Sequence, residues 1–307
     1  MAADGHELMS PPTAEPYVTR FETKVTAVDG HRVRLERSYF HPESGGQPAD
    51  RGTIGGVSVT DVTLEDGEAV HHLADSPRLS VGRRVLCSID RPFRLYCMRA
   101  HTAGHLLYGA AKRTLADVTY EAFDIDEQRV RVDLETTSNV DDETILELNE
   151  LLVRTVWEAR PVSWESIPID AAHNRADVTF DGTTTREAAD PDYVGIVTIG
   201  ATTNGRQADP RRDDTDEPWD VTACNGTHVR NTREVGPVTV LEWSRSRSGT
   251  VRIELVVGER AIERRTLEKR IAVDLKRALG NDIDRVSDDI GRLVDGERSD
   301  PVVTDLE

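Results

Sequence analysis

Two short segments hold the residue types with the most chemical reach. The first, His101-Thr102-Ala103-Gly104-His105, sets two histidines four residues apart. On a helix that spacing sends both rings to one side, with Tyr108 and Lys112 continuing the row and the apolar face roughly opposite. Two imidazoles one turn apart can share a zinc ion, each through a Zn–N bond of about 2.0–2.1 Å. The second segment, Cys224-Asn225-Gly226-Thr227-His228, separates a thiol from an imidazole by a turn whose glycine lets the backbone fold back. Each segment alone has a plainer reading. An HxxxH pair is commonly a surface or hydrogen-bonded pair, and a cysteine is often a small buried hydrophobe. Together they offer one thiol and three imidazoles, a donor set that suits the borderline softness of zinc. His101, His105, Cys224 and His228 are therefore the expected metal ligands, with Zn2+ as the cofactor. Two zinc enzyme classes drop out, because HTAGH lacks the glutamate of HExxH proteases and no PCxxC of a nucleotide deaminase is present.

The elements that must position these residues follow from periodicity. Lys24 to Glu36 alternates around Asp29-Gly30 and predicts a β-hairpin. Val57–Val59 and Arg83–Ile89 add short strands, so residues 18–90 read as a small β-barrel. From Arg99 to Leu115 the pattern changes to a helix, with Ala103, Leu106, Leu107 and Ala110 on one buried face. Arg129–Leu134 predicts a strand. Asp141–Arg160 predicts a second helix, with acidic residues in its first turn and Pro161 at its end. Tyr193–Ile199 and Val251–Val257 read as strands, and Ala201–Pro218 as a polar loop. From Glu259 a charged helix carries apolar positions Leu267, Ile271, Leu275 and Ala278, then Ile283, Val286, Ile290 and Leu293 beyond a break at Gly280-Asn281. The expected architecture is α+β: an N-terminal β-barrel (1–90), a sheet with packed helices (91–258) and a C-terminal helical extension (259–307) whose apolar stripe suits packing or a homodimer.

Composition narrows the setting. The net charge is -18, from 56 acidic against 38 basic residues, and Lys24, Lys112, Lys269 and Lys276 are the four lysines. An acidic surface with scarce lysine fits a protein working in high salt, and it also fits an ordinary acidic protein. Either surface repels nucleic acid unless arginines gather locally. Three cysteines at irregular spacing, Cys87, Cys97 and Cys224, argue against a disulfide framework. No stretch reaches the ~20 apolar residues of a membrane helix, and the N-terminus lacks a signal-peptide core. A cytoplasmic location is expected.

HTAGHLL followed far downstream by CNGTHV resembles the paired motifs of the editing domain shared by alanyl- and threonyl-tRNA synthetases, and of the free-standing AlaX family of alanyl-tRNA editing proteins. Ser38-Tyr39-Phe40-His41-Pro42-Glu43-Ser44-Gly45-Gly46-Gln47-Pro48 is similar to that family's TxFYPxGGGQP stretch, and Asn149–Val162 to its second helix. The likeness spans roughly residues 20–260. It implies a zinc-dependent trans-editing hydrolase that removes serine or glycine from mischarged alanine tRNA, with tRNA as partner and no ligase activity, since no residues remain ahead of the match for an ATP-using domain. Ser38, in the place of the family's threonine, keeps a hydroxyl that can probe a substrate serine. His41 stands for its tyrosine and Asn225 for a glycine of CGGTHV. Gly45, Gly46 and Gln47 are expected to approach the substrate, glycine leaving room and the amide offering donor and acceptor; a plain barrel turn is the alternative. Arg99 is placed to meet a phosphate or the terminal adenosine, or to form a surface salt bridge. His71, His72, Cys87 and Cys97 are read as structural. Four protein ligands close a tetrahedral shell, so a non-catalytic tRNA-binding protein with a structural zinc is the second reading. A zinc hydrolase of other small aminoacyl esters is the third.

Overall fold

The computed structural model describes residues 10–76, 78–180, 192–200, 217–247, 249–279 and 285. After a short helix α1 (Pro11–Ala14), the chain forms strands β1 (Arg20–Asp29), β2 (Arg32–Leu35), β3 (Gly52–Ile54), β4 (Val57–Glu65), β5 (Glu68–Leu73) and β6 (Arg84–Ile89). They close into an antiparallel barrel in the order β1-β2-β5-β4-β3-β6. The hairpin exists, but Asp29 pairs with Arg32, so the two-residue turn is Gly30-His31, one residue later than expected, with Gly30 at φ +58°. Alternation along β6 turns Val85, Cys87 and Ile89 inward. They pack with Val25, Val33, Phe40, Ile54 and Val62 into the barrel core. Closure leaves no open edge along these strands.

Helix α2 (Arg91–Thr114) follows at once, N-capped by Asp90, whose carboxylate accepts from Phe93 N at 3.1 Å. It starts about two turns earlier than its periodicity suggests, with Pro92 in the first turn. The expectation of an apolar face opposite the histidines is corrected: every residue from Ala100 to Ala111 is buried, so the helix runs through the core rather than along its edge. Ala100, Ala103, Ala110 and Ala111 keep it thin enough to be surrounded.

Around it stand β7 (Thr119–Ile125), β8 (Val130–Glu135), helix α3 (Asp142–Trp157), β9 (Val162–Pro168), helix α4 (Ile169–His173), β10 (Tyr193–Ile199), β11 (Asp220–Ala223), β12 (Val238–Arg245) and β13 (Val251–Val257). They make two antiparallel sheets, β11-β10-β9 and β12-β13-β8-β7. Asp141 closes a capping box with Thr144 at the start of α3, which buries Leu148 and Leu152. Residues 201–216 of the expected loop lie outside the described residues.

Met1–Gly258 is one compact unit and Glu259–Glu307 a second. The second contains helix α5 (Glu259–Leu279), on which Leu267 and Ile271 are exposed. Ile283, Val286, Ile290 and Leu293 lie outside the described residues. No helix among the described residues is long and apolar enough to cross a membrane.

Candidate metal centre

Helix α2 carries His101 and His105 to the end of β11, where the chain turns through Cys224 to His228. The ligand atoms of these four residues all lie within 4.8 Å of one another, and all four residues are buried. Cys224 Sγ stands 3.4 Å from His101 Nε2 and 3.3 Å from His228 Nε2. Those separations are close to the ~3.3–3.6 Å edges of a tetrahedron built from the usual Zn–N and Zn–S bonds. The cluster is therefore consistent with a zinc site.

Each imidazole is aimed by a partner at its other nitrogen. His105 Nδ1 donates to Asp220 Oδ2 at 2.9 Å, and His101 Nδ1 to Gln47 Oε1 at 3.0 Å. His228 Nδ1 meets Thr102 Oγ1 at 3.3 Å, and the Thr102 hydroxyl donates onward to Met98 O at 2.8 Å. The network thus assigns a proton to Nδ1 in all three rings and turns three Nε2 atoms toward one thiol. Asp220 is itself held by Lys112 Nζ at 2.6 Å and Thr222 Oγ1 at 2.8 Å.

Burial pushes His101 and His228 well below the ordinary histidine range, which keeps their nitrogens free as ligands. Burial also presses on His105, but Asp220 and Cys224 outweigh it and the ring is raised. Burial disfavours the charged form of Asp220; His105 and Lys112 overcome that and hold it a carboxylate, below the usual range. The field around Cys224 and Asp220 therefore favours a cation at this point. Gly226 is required for a reason different from the one its sequence suggests. A Cβ there would stand 2.1 Å from the His101 ring, so the residue answers a close approach; it is not among the residues of positive φ.

A small pocket lined by Ser44, Gly45, Tyr120, Thr222 and Asn225 opens on the ligands. Gly45 is thus at the site. Gln47 is fully buried, and its amide faces the metal turn: besides His101 it takes Thr227 N at 3.0 Å and donates to Thr227 Oγ1 at 2.9 Å. Gly46, at φ +72°, presses on β7, where a Cβ would meet Phe123 O at 2.0 Å. Ser38 lines a neighbouring cavity of about 300 Å³, its hydroxyl 2.7 Å from His71 Nε2. Arg99 lines neither space; its Nε donates to Glu234 O at 2.8 Å. Cys87 and Cys97 are buried thiols, each pushed up to about 12 by burial.

Sequence reasoning missed Asp220 and Thr102. A signal for Asp220 existed: in a strand, residues 220, 222 and 224 share a face, so an aspartate and a threonine lie in line with the thiol. It also missed the clamp under the glycine segment. Arg94 and Asp50, both 1% exposed, form a buried ion pair, and Arg94 donates besides to Pro16 O at 2.8 Å and Tyr39 O at 2.7 Å. Asp50 accepts from His41 N at 2.6 Å, so α2 fixes both ends of the segment that carries Gln47. Each nitrogen of the guanidinium has a partner, the condition under which a buried pair is tolerated.

Residues 194–254 match the model of the Threonyl and Alanyl tRNA synthetase second additional domain. The chain is 33% identical over 270 residues to the alanine–tRNA ligase of Pyrococcus abyssi, covering 86% of this chain and 27% of that ligase. It is 33% identical over 255 residues to that of Methanothrix thermoacetophila, covering 81% and 25%. With the Methanococcus maripaludis ligase it shares 27% over 279 residues, covering 91% and 29%. Residues 194–254 thus resemble the second additional domain of threonyl- and alanyl-tRNA synthetases, and the chain spans about a quarter of the length of the archaeal alanine–tRNA ligases it matches.

Proposed function

We propose that this chain is a zinc-dependent hydrolase that edits in trans, cleaving serine or glycine from mischarged alanine tRNA. The observation that carries the reading is the buried His101, His105, Cys224, His228 cluster with every Nδ1 engaged and a small pocket opening beside it. The similarity to a quarter of each alanine–tRNA ligase supports an editing rather than a ligating role. Zinc held there would supply a Lewis acid for the ester carbonyl or lower the pKa of an attacking water toward about 7.

The chain's own residues do the rest. Asp220, Gln47 and Thr102 fix the ring directions, Ser44, Gly45 and Tyr120 line the pocket beside the ligands, and the buried surroundings limit the access of bulk water. Recognition of the acceptor end would lean on shape, stacking and hydrogen bonding, because a net charge of -18 gives little general attraction for phosphate. A cytoplasmic, salt-adapted setting belongs to the same reading. So does the division into barrel (1–90), metal-bearing domain (91–258) and extension (259–307), with pairing of two copies through the α5 stripe.

One observation favours a second reading: the four protein donors complete a tetrahedral shell, as in a structural zinc of a non-catalytic tRNA-binding protein. A deacylation assay on seryl- and glycyl-tRNA(Ala) at high salt, with and without metal removal, separates the two. Zinc-dependent release of the amino acid is expected. An ester half-life unchanged by saturating protein, with tRNA still bound, would establish the second reading instead.

A further inference from the structure

Helix α5 has a charge balance opposite to that of the chain that carries it. It holds seven basic residues against four acidic ones, in a protein whose net charge is -18. At 3.6 residues per turn these charges are sorted rather than scattered. From Arg265 onward, Arg265, Lys269, Arg270, Lys276 and Arg277 fall within one band about 140° wide, which holds no acidic residue and, besides them, Thr266 and Val273. All five are exposed. Arg277 meets Asp274 at 3.4 Å, whereas Arg265, Lys269 and Arg270 have no ion-pair partner among the described residues. Leu267, Ile271, Leu275 and Ala278 take the opposite side, and Glu263, Glu268 and Asp274 border that apolar stripe.

Five like charges along about 18 Å of helix repel one another, and a polyanion relieves that repulsion. Partners of opposite charge differ in what else they need. A membrane surface would take up the apolar stripe, and the three acidic residues along its borders would then meet anionic headgroups. An acidic protein needs an aromatic or aliphatic anchor buried at the centre of the contact, and half-buried Val273 is the one apolar residue in the band. Residues 280–307 of the chain itself carry nine acidic and three basic residues, a much thinner charge than the one phosphate per ~1.7 Å of a duplex. A phosphate backbone asks only for what the band supplies, lysine and arginine head groups spaced along an exposed element. Pairing of two copies through the stripe would leave both basic bands facing outward.

Resting on the editing reading for the identity of the RNA, we propose that the Arg265–Arg277 face of α5 is a landing surface for the phosphate backbone of the tRNA, which it holds without reading the bases. Local attraction there offsets the repulsion of the acidic remainder, and selection of sequence falls to other parts of the chain.

Fluorescence anisotropy of a labelled alanine tRNA transcript, titrated with the full zinc-loaded chain at salt from about 0.1 M to about 1 M, tests this. Arg265→Gln, Lys269→Gln and Arg270→Gln combined keep the helix propensity and remove three charges. Binding at the lowest salt should weaken at least about tenfold, and log K against log salt should become shallower by about 2–3. Arg260→Gln with Arg264→Gln removes two charges outside the band and should leave the slope nearly unchanged. Equal slopes for the wild type and the triple variant overturn the proposal and mean that residues 280–307 or a second copy cover the face. It is overturned too if the triple variant loses binding to phosphatidylserine vesicles while its tRNA binding stays intact. Lysine acetylation gives a readout that needs no variant, because two of the four lysines lie in the band. Bound tRNA should protect Lys269 and Lys276 and leave Lys24 reactive; equal acetylation of Lys269 with and without bound tRNA overturns the assignment. Serine release from seryl-tRNA in the same samples keeps the two ideas apart. Binding of tRNA on this face without hydrolysis sinks the editing activity alone, and hydrolysis with the same KM in the wild type and the triple variant sinks the surface alone.

Discussion

The barrel and the metal-bearing half both bury histidines, and they treat them in opposite ways. In the barrel, His71 has both nitrogens engaged: Nδ1 donates to Val33 O at 3.0 Å and Nε2 accepts from the Ser38 hydroxyl. Burial pushes it down to about 4, and the ring is a neutral brace between β5 and the segment after β2. At the metal centre, His101, His105 and His228 are equally buried, but each spends Nδ1 on a protein oxygen and turns Nε2 to one shared thiol. A buried imidazole whose nitrogens are both matched is a packing element. One whose open nitrogen meets two others and a thiol is a ligand, and the partners distinguish them where burial does not.

The largest effect should come from Cys224→Ser, which replaces the soft donor. Bound zinc measured by elemental analysis should fall to background, and deacylation should fall by about 100-fold or more, beyond the usual cost of losing an outer-shell partner. Retention of stoichiometric zinc would break the contrast between the two kinds of histidine.

On the barrel side the expected signature is a pH dependence of stability. His71 titrates near 4 in the folded chain against about 6.5 unfolded, so between these values the unfolded chain binds a proton that the native ring refuses. Its contribution is fully present above pH 6.5 and is lost as pH falls toward 4, on the order of 3 kcal/mol. Urea unfolding from pH 7 to pH 4 should show this slope, and His71→Gln should flatten it.

Asp220→Asn keeps the hydrogen-bonding shape but removes the carboxylate behind His105. Metal affinity, read by chelator competition, should drop about 10- to 100-fold with the fold retained. An unchanged affinity would mean that His105 is aimed by packing alone. The smallest expected signal is chemical silence. Cys87 and Cys97, pushed up to about 12, hold almost no thiolate at neutral pH and should resist a disulfide-exchange reagent in the native protein. Rapid labelling of either would show that its cluster opens.

Much of this was legible in the chain. Short apolar runs rich in β-branched residues located β10 and β13 to the residue, and the acidic first turn and Pro161 bracketed α3. What escaped included β3, which is three residues long, and β5, which carries two adjacent histidines, but also the longer β7, β9 and β12, whose polar and charged residues interrupt the apolar pattern. The ligand types were legible because zinc chemistry restricts them to few residues. The supports were not, because Gln47 lies 54 positions from His101 and Asp220 lies 115 from His105. The sequence setting of Gln47 gives its donors and acceptors but not their direction, and the structure directs them to His101 and Thr227.

By itself, the sequence determined the donor set, the barrel-then-helix order and the position of the metal turn, since side-chain chemistry and periodicity are local properties. Only the tertiary structure decided which nitrogen each histidine presents and that Gly226 makes room for the His101 ring. Those facts depend on which distant segments meet, and barrel closure together with the Arg94–Asp50 clamp fixes that meeting.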